Sequence, residues 1–239
     1  MPTPTRATIL QPDPDVPVDR FGPWLASNRV LVRAVPLWER PIPSVDSVGD
    51  GVILLGGSMS AHDHETHEWI TPLKQFVVDL VEAGIPLLGI CLGHQILAEA
   101  FGGTVVVNDP AGGEHGSQEI YWTGAARTDP LVSRLALGSS SIFAESHSDV
   151  VTELPSEARL LASSTLYRNQ AFRLGSAVGV QFHPEASPDL MARWAEMDGM
   201  SGREMRRHLN TIDTDLSRNG RLLAHSFSNH LQARHAQAA

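Results

Sequence analysis

The one cysteine in this sequence stands where an apolar run meets a helix-forming segment, a position suited to nucleophilic chemistry. The stretch PLLGICLGHQILAEAFGG, residues 86–103, predicts a strand that ends at Cys91 and a helix that begins almost at once. Gly89 and Gly93 are small enough for a sharp turn between the two. The partial positive charge at the helix start favours the reactive thiolate. Considered alone, Cys91 is more often the inert cysteine of a core.

A second strand provides a base and a group to orient it. The segment VGVQFHPEAS, residues 178–187, ends in His183 and Glu185, whose side chains point to one side of an extended chain. Pro184 favours that geometry at His183. His183 can then carry a proton between Cys91 and a leaving amine while Glu185 stabilises the imidazolium, as in a catalytic triad. Taken alone, a histidine near a strand end is more often a surface or core residue, so the hypothesis depends on the cysteine.

A third segment predicts donors for a negatively charged intermediate. Residues 51–63, GVILLGGSMSAHD, form a buried strand that breaks into paired glycines. We expect the backbone amides of Gly57 and Leu92 to form an oxyanion hole beside Cys91. Paired glycines after a strand are otherwise only a turn.

The elements that must position these residues predict an α/β fold with a mostly parallel central sheet flanked by helices. Short runs of Val, Ile and Leu alternate with longer amphipathic segments. Strands are expected at 8–10, 30–35, 51–55 and 86–90, and helices at 18–27, 68–83 and 93–101. Shorter strand-like segments occupy 104–181, and helices return at 188–197 and 202–232.

Length and composition favour one domain over residues 1–239, with the motifs within about 51–194 and a helical tail at about 198–235. The net charge of −9 and the scattered lysines and arginines argue against a nucleic-acid partner. A single cysteine excludes an internal disulfide and suits a reducing compartment. Without a signal peptide or a bilayer-length apolar stretch, we expect a cytoplasmic protein with no membrane partner.

The motifs together resemble those of the class I glutamine amidotransferases. GICLGHQ at 89–95, SHSD at 146–149, QFHPE at 181–185 and the glycine pair at 56–57 occur in that family's order. The resemblance covers roughly residues 53–194 and is strongest to stand-alone, GMP-synthase-like members, with no synthase domain following. It implies a flavodoxin-like fold and no metal or organic cofactor.

The resemblance also implies a role for each matching residue. Cys91, His183 and Glu185 would form the triad, and the amides of Gly57 and Leu92 the oxyanion hole. Gln95, Ser148 and Asp149 would contact the substrate, and His147 would form part of the pocket wall. The implied reaction is hydrolysis of a γ-glutamyl amide through a thioester on Cys91.

A metal site competes for one segment of this sequence. The stretch AHDHETHEW contains His62, His64 and His67 beside two carboxylates, and these residue types suit zinc. Their spacing matches no HExxH helix, so a solvated loop is the favoured prediction.

Three functions remain open from the sequence. The chain can be a glutaminase subunit that supplies ammonia to a separate synthase subunit, or a free-standing hydrolase or transferase of small γ-glutamyl compounds. The third is a non-catalytic regulatory module of the same fold. The intact triad argues against the third, whereas the acceptor of the ammonia or glutamyl group lies outside what these motifs describe.

Overall fold

Strands and helices alternate along the first half of the chain in the computed structural model, which describes residues 4–238. This half contains β1 (Thr5–Gln11), α1 (Phe21–Ser27), β2 (Val30–Pro36), β3 (Gly51–Leu54), α2 (Ile70–Glu82), β4 (Leu87–Ile90) and α3 (Leu92–Ala100). The second half contains β5 (Thr104–Val106), β6 (Glu114–Trp122), β7 (Ser140–His147), β8 (Val150–Glu153), β9 (Arg159–Ser163), β10 (Ala171–Leu174), β11 (Ala177–Val180), α4 (Pro188–Met197) and α5 (Gly202–Ala238).

Nine strands form the central sheet in the order β2-β1-β3-β4-β11-β10-β9-β6-β7. The strands from β2 to β11 run parallel, and those from β10 to β7 extend the sheet in antiparallel pairs. β5 and β8 form a separate two-stranded ribbon. The predicted α/β class is confirmed, and the carboxyl ends of β3, β4 and β11 meet at one edge, where parallel α/β sheets commonly bind ligands.

Both faces of the sheet are covered at β3, β4 and β11, which explains why these strands are continuous apolar runs, whereas the edge strand β2 is largely exposed. All four residues of β3 and all four of β4 are buried. Apolar side chains of α1 and α5 pack on one face, and those of α2 and α3 pack on the other. At about 25 cal/mol per Å² of apolar surface, this burial is the main stabilising term for the strands that position the site.

Two helices begin later than their sequence pattern indicates. α1 begins at Phe21 rather than residue 18, since Asp19 adopts a φ of 37° that interrupts a helix. α2 begins at Ile70 rather than residue 68, because residues 60–67 form turns closed by Asp63, which accepts from the amides of Ser60 and His67.

The tail folds back over the domain as α5. Its buried leucines recur at helical spacing at positions 209, 216, 223 and 231. Asp213 accepts two hydrogen bonds from the Arg20 guanidinium, at 2.6 and 3.0 Å. A Cβ added at Gly220 would lie 2.1 Å from the Pro184 carbonyl oxygen. The helix therefore crosses residues 183–185, which we call the HPE segment, at a residue without a side chain. None of the helices within residues 4–238 is both long and apolar enough to cross a lipid bilayer.

Candidate active site

Cys91 occupies a strained turn between β4 and α3, where the sequence predicts a sharp turn; we call this turn, residues 89–93, the elbow. Its backbone has φ 52° and ψ −107°, which few residues with a side chain adopt. Its carbonyl accepts hydrogen bonds from the amides of His94 and Gln95, which begin the helix, while its own amide donates to the Val180 carbonyl at 2.9 Å. The turn is thus held from α3 and from the neighbouring strand β11.

The two glycines of the elbow permit backbone contacts that a side chain would block. A Cβ at Gly89 would lie 2.5 Å from the Gly93 carbonyl oxygen, and a Cβ at Gly93 would lie 2.3 Å from that of Leu54. Since the obstructing atoms belong to the backbone, neither contact can be relieved by rotating a side chain. The tight turn predicted at residues 89–93 therefore depends on both glycines.

His183 and Glu185 lie at the end of the neighbouring strand and form a buried pair. The Nδ1 atom of His183 is 2.8 Å from Oε1 of Glu185. The His183 amide donates to the Ala144 carbonyl at 2.8 Å, which fixes the segment against β7. The imidazole also packs against the Trp194 ring, with centroids 4.7 Å apart.

The environment of His183 favours its protonated form. Burial by itself lowers the pKa of this imidazole, but the Glu185 carboxylate, and then Cys91, raise it well above 6.5. A Cβ at Gly56 would lie 3.1 Å from His183 Cε1 and 3.4 Å from Cys91 Cβ, so the imidazole and the cysteine lie against the same glycine. The structure brings the three predicted triad residues together.

A cleft of about 470 Å³ opens onto the thiol. Cys91 is only 6% exposed, yet it lines this cleft together with His183. Gly57, Gln95, Ser148 and Asp149 also line it, whereas Glu185 lies behind His183. The volume is within the range of small-molecule sites.

The family of this chain follows from its sequence as well as its fold. A family model described as glutamine amidotransferase class-I matches residues 25–195, well over half of the chain. The chain belongs to the class I glutamine amidotransferases. It is therefore an enzyme of the amidotransferase type that the motifs indicated.

Individual relatives agree with the family assignment. A glutamine-hydrolysing GMP synthase subunit from Halobacterium salinarum is 30% identical over 179 residues, which cover 71% of this chain and 87% of that protein. The glutamine-hydrolysing GMP synthase from Caldicellulosiruptor saccharolyticus is 36% identical over 172 residues, which cover 66% of this chain but only 30% of that protein. A crystal structure of a Thermotoga maritima glutamine amidotransferase covers 96% of this chain and 99% of its own, with a TM-score of 0.84 and 23% identity, and shares the fold.

In this class I amidotransferase, the predicted oxyanion segment is fixed by a carboxylate that the sequence analysis did not single out. Asp13 accepts hydrogen bonds from the Ser58 amide at 2.9 Å and the Ser58 hydroxyl at 2.6 Å. Burial raises the pKa of Asp13, but these hydrogen bonds outweigh it and the pKa is lowered overall. A Cβ at Gly57 would lie 3.0 Å from Leu92 Cδ2, so Gly57 and Leu92 are neighbours. Asp13 follows the carboxyl end of β1, which runs parallel to β3. This position at the same sheet edge as Gly57 is the feature of the sequence that could have indicated its role.

The amidotransferase uses Gln95 to hold the loop that contains the other predicted substrate contacts. Gln95 Nε2 donates to the Asp149 carbonyl at 2.9 Å and to Gln181 Oε1 at 3.3 Å. The Asp149 carboxylate accepts from the Asn108 amide at 3.0 Å. Although Gln95 lines the cleft, the structure shows its amide engaged with the protein itself.

Beneath this loop lies a buried polar layer that the sequence analysis missed. His147, expected as pocket wall, does line the cleft, and its Nε2 faces Glu114 and Glu145. Burial, followed by the charge of Glu114, raises the pKa of Glu145 well above its usual range. Glu114 lies 33 residues before His147 in the sequence, so only the pairing of β6 with β7 reveals that it joins Glu145 and His147.

Two histidines of the loop at 61–69, His62 and His67, bind separate partners. His62 pairs with Glu99, which also binds Lys74 at 2.5 Å. His67 Nδ1 lies 2.9 Å from the Thr66 hydroxyl, and its ring packs edge-on against Trp69. Within the described part of the chain these histidines do not converge on a common point.

Proposed function

We propose that this amidotransferase hydrolyses a γ-glutamyl amide through a thioester on Cys91, and that glutamine is its substrate. One observation carries the proposal: the His183 imidazole is paired with Glu185 at 2.8 Å while it lies against the same glycine as Cys91. A nucleophile, a base and an orienting carboxylate are the parts that this chemistry needs.

In the first half of the reaction, the Cys91 thiolate attacks the γ-carbonyl carbon and a C–S bond forms. The carbonyl oxygen becomes an oxyanion, which the amides of Gly57 and Leu92 stabilise. The His183 imidazolium donates its proton to the amide nitrogen, the C–N bond breaks, and ammonia leaves. The raised pKa of His183 supports this step, because it keeps the proton on the ring until it is needed.

In the second half, water attacks the thioester and His183 accepts its proton. The C–S bond breaks, and glutamate and the Cys91 thiolate are released, with His183 protonated again. Glu185 keeps Nδ1 hydrogen-bonded throughout, so Nε2 is the nitrogen that exchanges protons. In this cycle His183 donates the proton that ammonia receives and takes a proton from water, so no further proton donor is required.

We further propose that the ammonia passes to a separate synthase subunit in the cytoplasm. The extensive match to a protein named as a glutamine-hydrolysing GMP synthase subunit supports this arrangement. A free-standing hydrolase of γ-glutamyl compounds is the second candidate, favoured by the extent of the cleft. The cleft continues past the thiol to Trp194, Met197 and Asp198 of the α4 region, which leaves room for a larger leaving group.

Intact-mass measurement after treatment with a glutamine-mimicking diazo-ketone tests the thioester chemistry. We expect one adduct on the wild-type chain and none on the Cys91→Ala variant. The same two proteins are then assayed for glutamate release from glutamine and from γ-glutamyl peptides. Labelling of Cys91→Ala, or no labelling of the wild type, would contradict the proposal.

The partner question needs a second assay. The subunit role is supported if the turnover of glutamine by this chain rises only when the synthase subunit of a GMP synthase is added. Full turnover of γ-glutamyl peptides by the chain alone supports the free-standing hydrolase. Adduct formation without turnover of any substrate, with or without the synthase, would favour a non-catalytic module.

A further inference from the structure

Two neighbouring strands bring two carboxylates and an imidazole together behind the cleft. Glu114 begins β6 and is paired across the sheet with His147, the last residue of β7. Glu145 stands two residues before His147, so both side chains project from the same face of β7. The side chains of Glu114, Glu145 and His147 are 2%, 0% and 1% exposed.

The ligand-forming atoms of this group are closely spaced. His147 Nε2 lies 3.2 Å from Glu114 Oε2 and 3.6 Å from Glu145 Oε2, and each side chain places one such atom within 4.8 Å of the other two. Ligands bound tetrahedrally at about 2.0–2.1 Å from a zinc ion are separated by roughly 3.3 Å. The two distances measured from the imidazole lie on either side of that value.

The hydrogen bond on the far side of the ring determines what His147 offers to the carboxylates. Its Nδ1 lies 3.2 Å from the Asp149 carbonyl oxygen, which can only accept, so Nδ1 carries a proton. In the neutral imidazole Nε2 then carries no proton, and its lone pair faces the carboxylate oxygens of Glu114 and Glu145. A backbone carbonyl bound to the second ring nitrogen is the usual support of a metal-ligating histidine.

Glu145 lacks the partners that a buried carboxylate needs. Neither of its oxygens has a hydrogen-bond partner among residues 4–238. In the same part of the chain no lysine or arginine forms an ion pair with Glu114 or Glu145. Glu114 does receive a hydrogen bond from Gln170 Nε2 at 2.5 Å, which orients its carboxylate. Since an unpaired buried charge is costly, these carboxylates require either a proton or a cation between them, and the arrangement of ligand atoms around the His147 imidazole suits a cation.

We propose that Glu114, Glu145 and His147 bind one divalent transition-metal ion of the Zn²⁺ class. Imidazole and carboxylate ligands suit this ion, and a water molecule from the cleft completes a tetrahedral shell. The ion would hold the end of β7 and the two residues that follow it, 148–149, which line the cleft together with the thiol. The site lies outside the catalytic triad, and its occupancy requires no turnover.

Zinc binding by the purified full-length chain tests the proposal directly. The metal-stripped protein is titrated with Zn²⁺ against a competing chelator, and bound zinc is counted by mass spectrometry after dialysis. We expect one ion per chain and a higher melting temperature. Glu145→Gln keeps the shape but removes the anionic ligand, and we expect affinity to fall at least about tenfold, the loss typical of supporting residues.

Two variants separate this site from the other places where zinc can bind. Cys91→Ala removes the triad thiolate, and the His62→Gln/His64→Gln double variant removes the exposed loop histidines. Both should bind zinc as the wild type does. Loss of the ion in either variant, with retention in Glu145→Gln, would overturn the proposal.

Cobalt substitution gives a readout that does not depend on the folding of any variant. Co²⁺ bound to the wild-type chain should give the visible absorption of a tetrahedral site with nitrogen and oxygen ligands and no thiolate-to-metal charge-transfer band. A charge-transfer band would place the ion at Cys91, and no bound ion would show that protons alone neutralise the group. Either result would overturn the proposal.

Discussion

The Nδ1 atom of His183 lies 2.8 Å from Glu185 Oε1, and solvent is almost excluded from both side chains. The pair is held by the backbone around it: the His183 amide donates to Ala144, and the Glu185 carbonyl accepts from the Arg20 amide at 3.3 Å. The orientation of the imidazole is therefore set before substrate arrives, and the charge of Glu185 can be tested apart from its shape.

Glu185→Gln should slow hydrolysis of glutamine by about a hundredfold to ten-thousandfold, because the imidazolium loses its charged partner. The Glu185 carboxylate raises the pKa of His183, so its removal should move the basic limb of the pH–rate profile to lower pH. Steady-state kinetics across pH measure both effects. The exposed Glu157→Gln is the control, and an unchanged basic limb in Glu185→Gln would contradict the role.

The Cys91→Gly variant should be more stable than Cys91→Ala, with a free energy of unfolding about 1 kcal/mol higher, although both lack the nucleophile. The backbone at Cys91 has a φ of 52°, which glycine adopts without strain and alanine does not. Urea unfolding of the two variants measures the difference. Equal stabilities would mean that the elbow stores no strain at this residue.

Gly93→Ala should destabilise the fold by about 1–3 kcal/mol, because its Cβ would meet the Leu54 carbonyl oxygen at 2.3 Å. Gly124→Ala is the matched control, since its Cβ would meet nothing within 4 Å. Thermal unfolding of both variants compares them. A Gly93→Ala protein as stable as the control would show that the elbow accommodates a side chain.

His94 should make the chain less stable in mild acid. Burial lowers the pKa of His94 from 6.5 to about 3. Below pH 6.5 the unfolded state therefore binds a proton that the folded state refuses, and the unfolding free energy falls by about 1.4 kcal/mol per pH unit from this one group. The contribution is complete above pH 6.5 and is lost as the pH falls towards 3.

Urea unfolding at pH 7 and pH 5 measures this dependence. The wild type should lose about 2 kcal/mol more than His94→Gln over that interval. The exposed His64→Gln should behave as the wild type does. A pH dependence in His94→Gln equal to that of the wild type would rule out the assignment.

The sequence predicts the parallel half of the sheet well because local patterns decide it. The apolar runs at 51–55 and 86–90 are continuous, and the confirmed class follows from their alternation with helices. The elbow at Cys91 is equally local, since its glycines and its helix lie within a few residues. The hydrogen bond between His183 and Glu185 is local too, because the two residues are only two positions apart.

Other parts of the site depend on contacts between distant segments. Asp13 reaches Ser58 across 45 residues, and Glu114 reaches His147 across 33. No periodicity in the sequence specifies such pairs, because they arise from strand order and cross-strand register. The hydrogen bonds of Gln95 depend on distant segments for the same reason: besides lining the cleft, as a substrate contact must, this residue also holds a loop.

Gly220 is in contact with the HPE segment, yet it lies 25 residues beyond the end of the family match at residue 195. Any shortened version of this enzyme designed from the shared family region would discard the helix that covers Pro184. The minimal unit for expression, crystallisation or fusion to a synthase therefore extends at least to Leu231, the last fully buried residue of that helix up to residue 237.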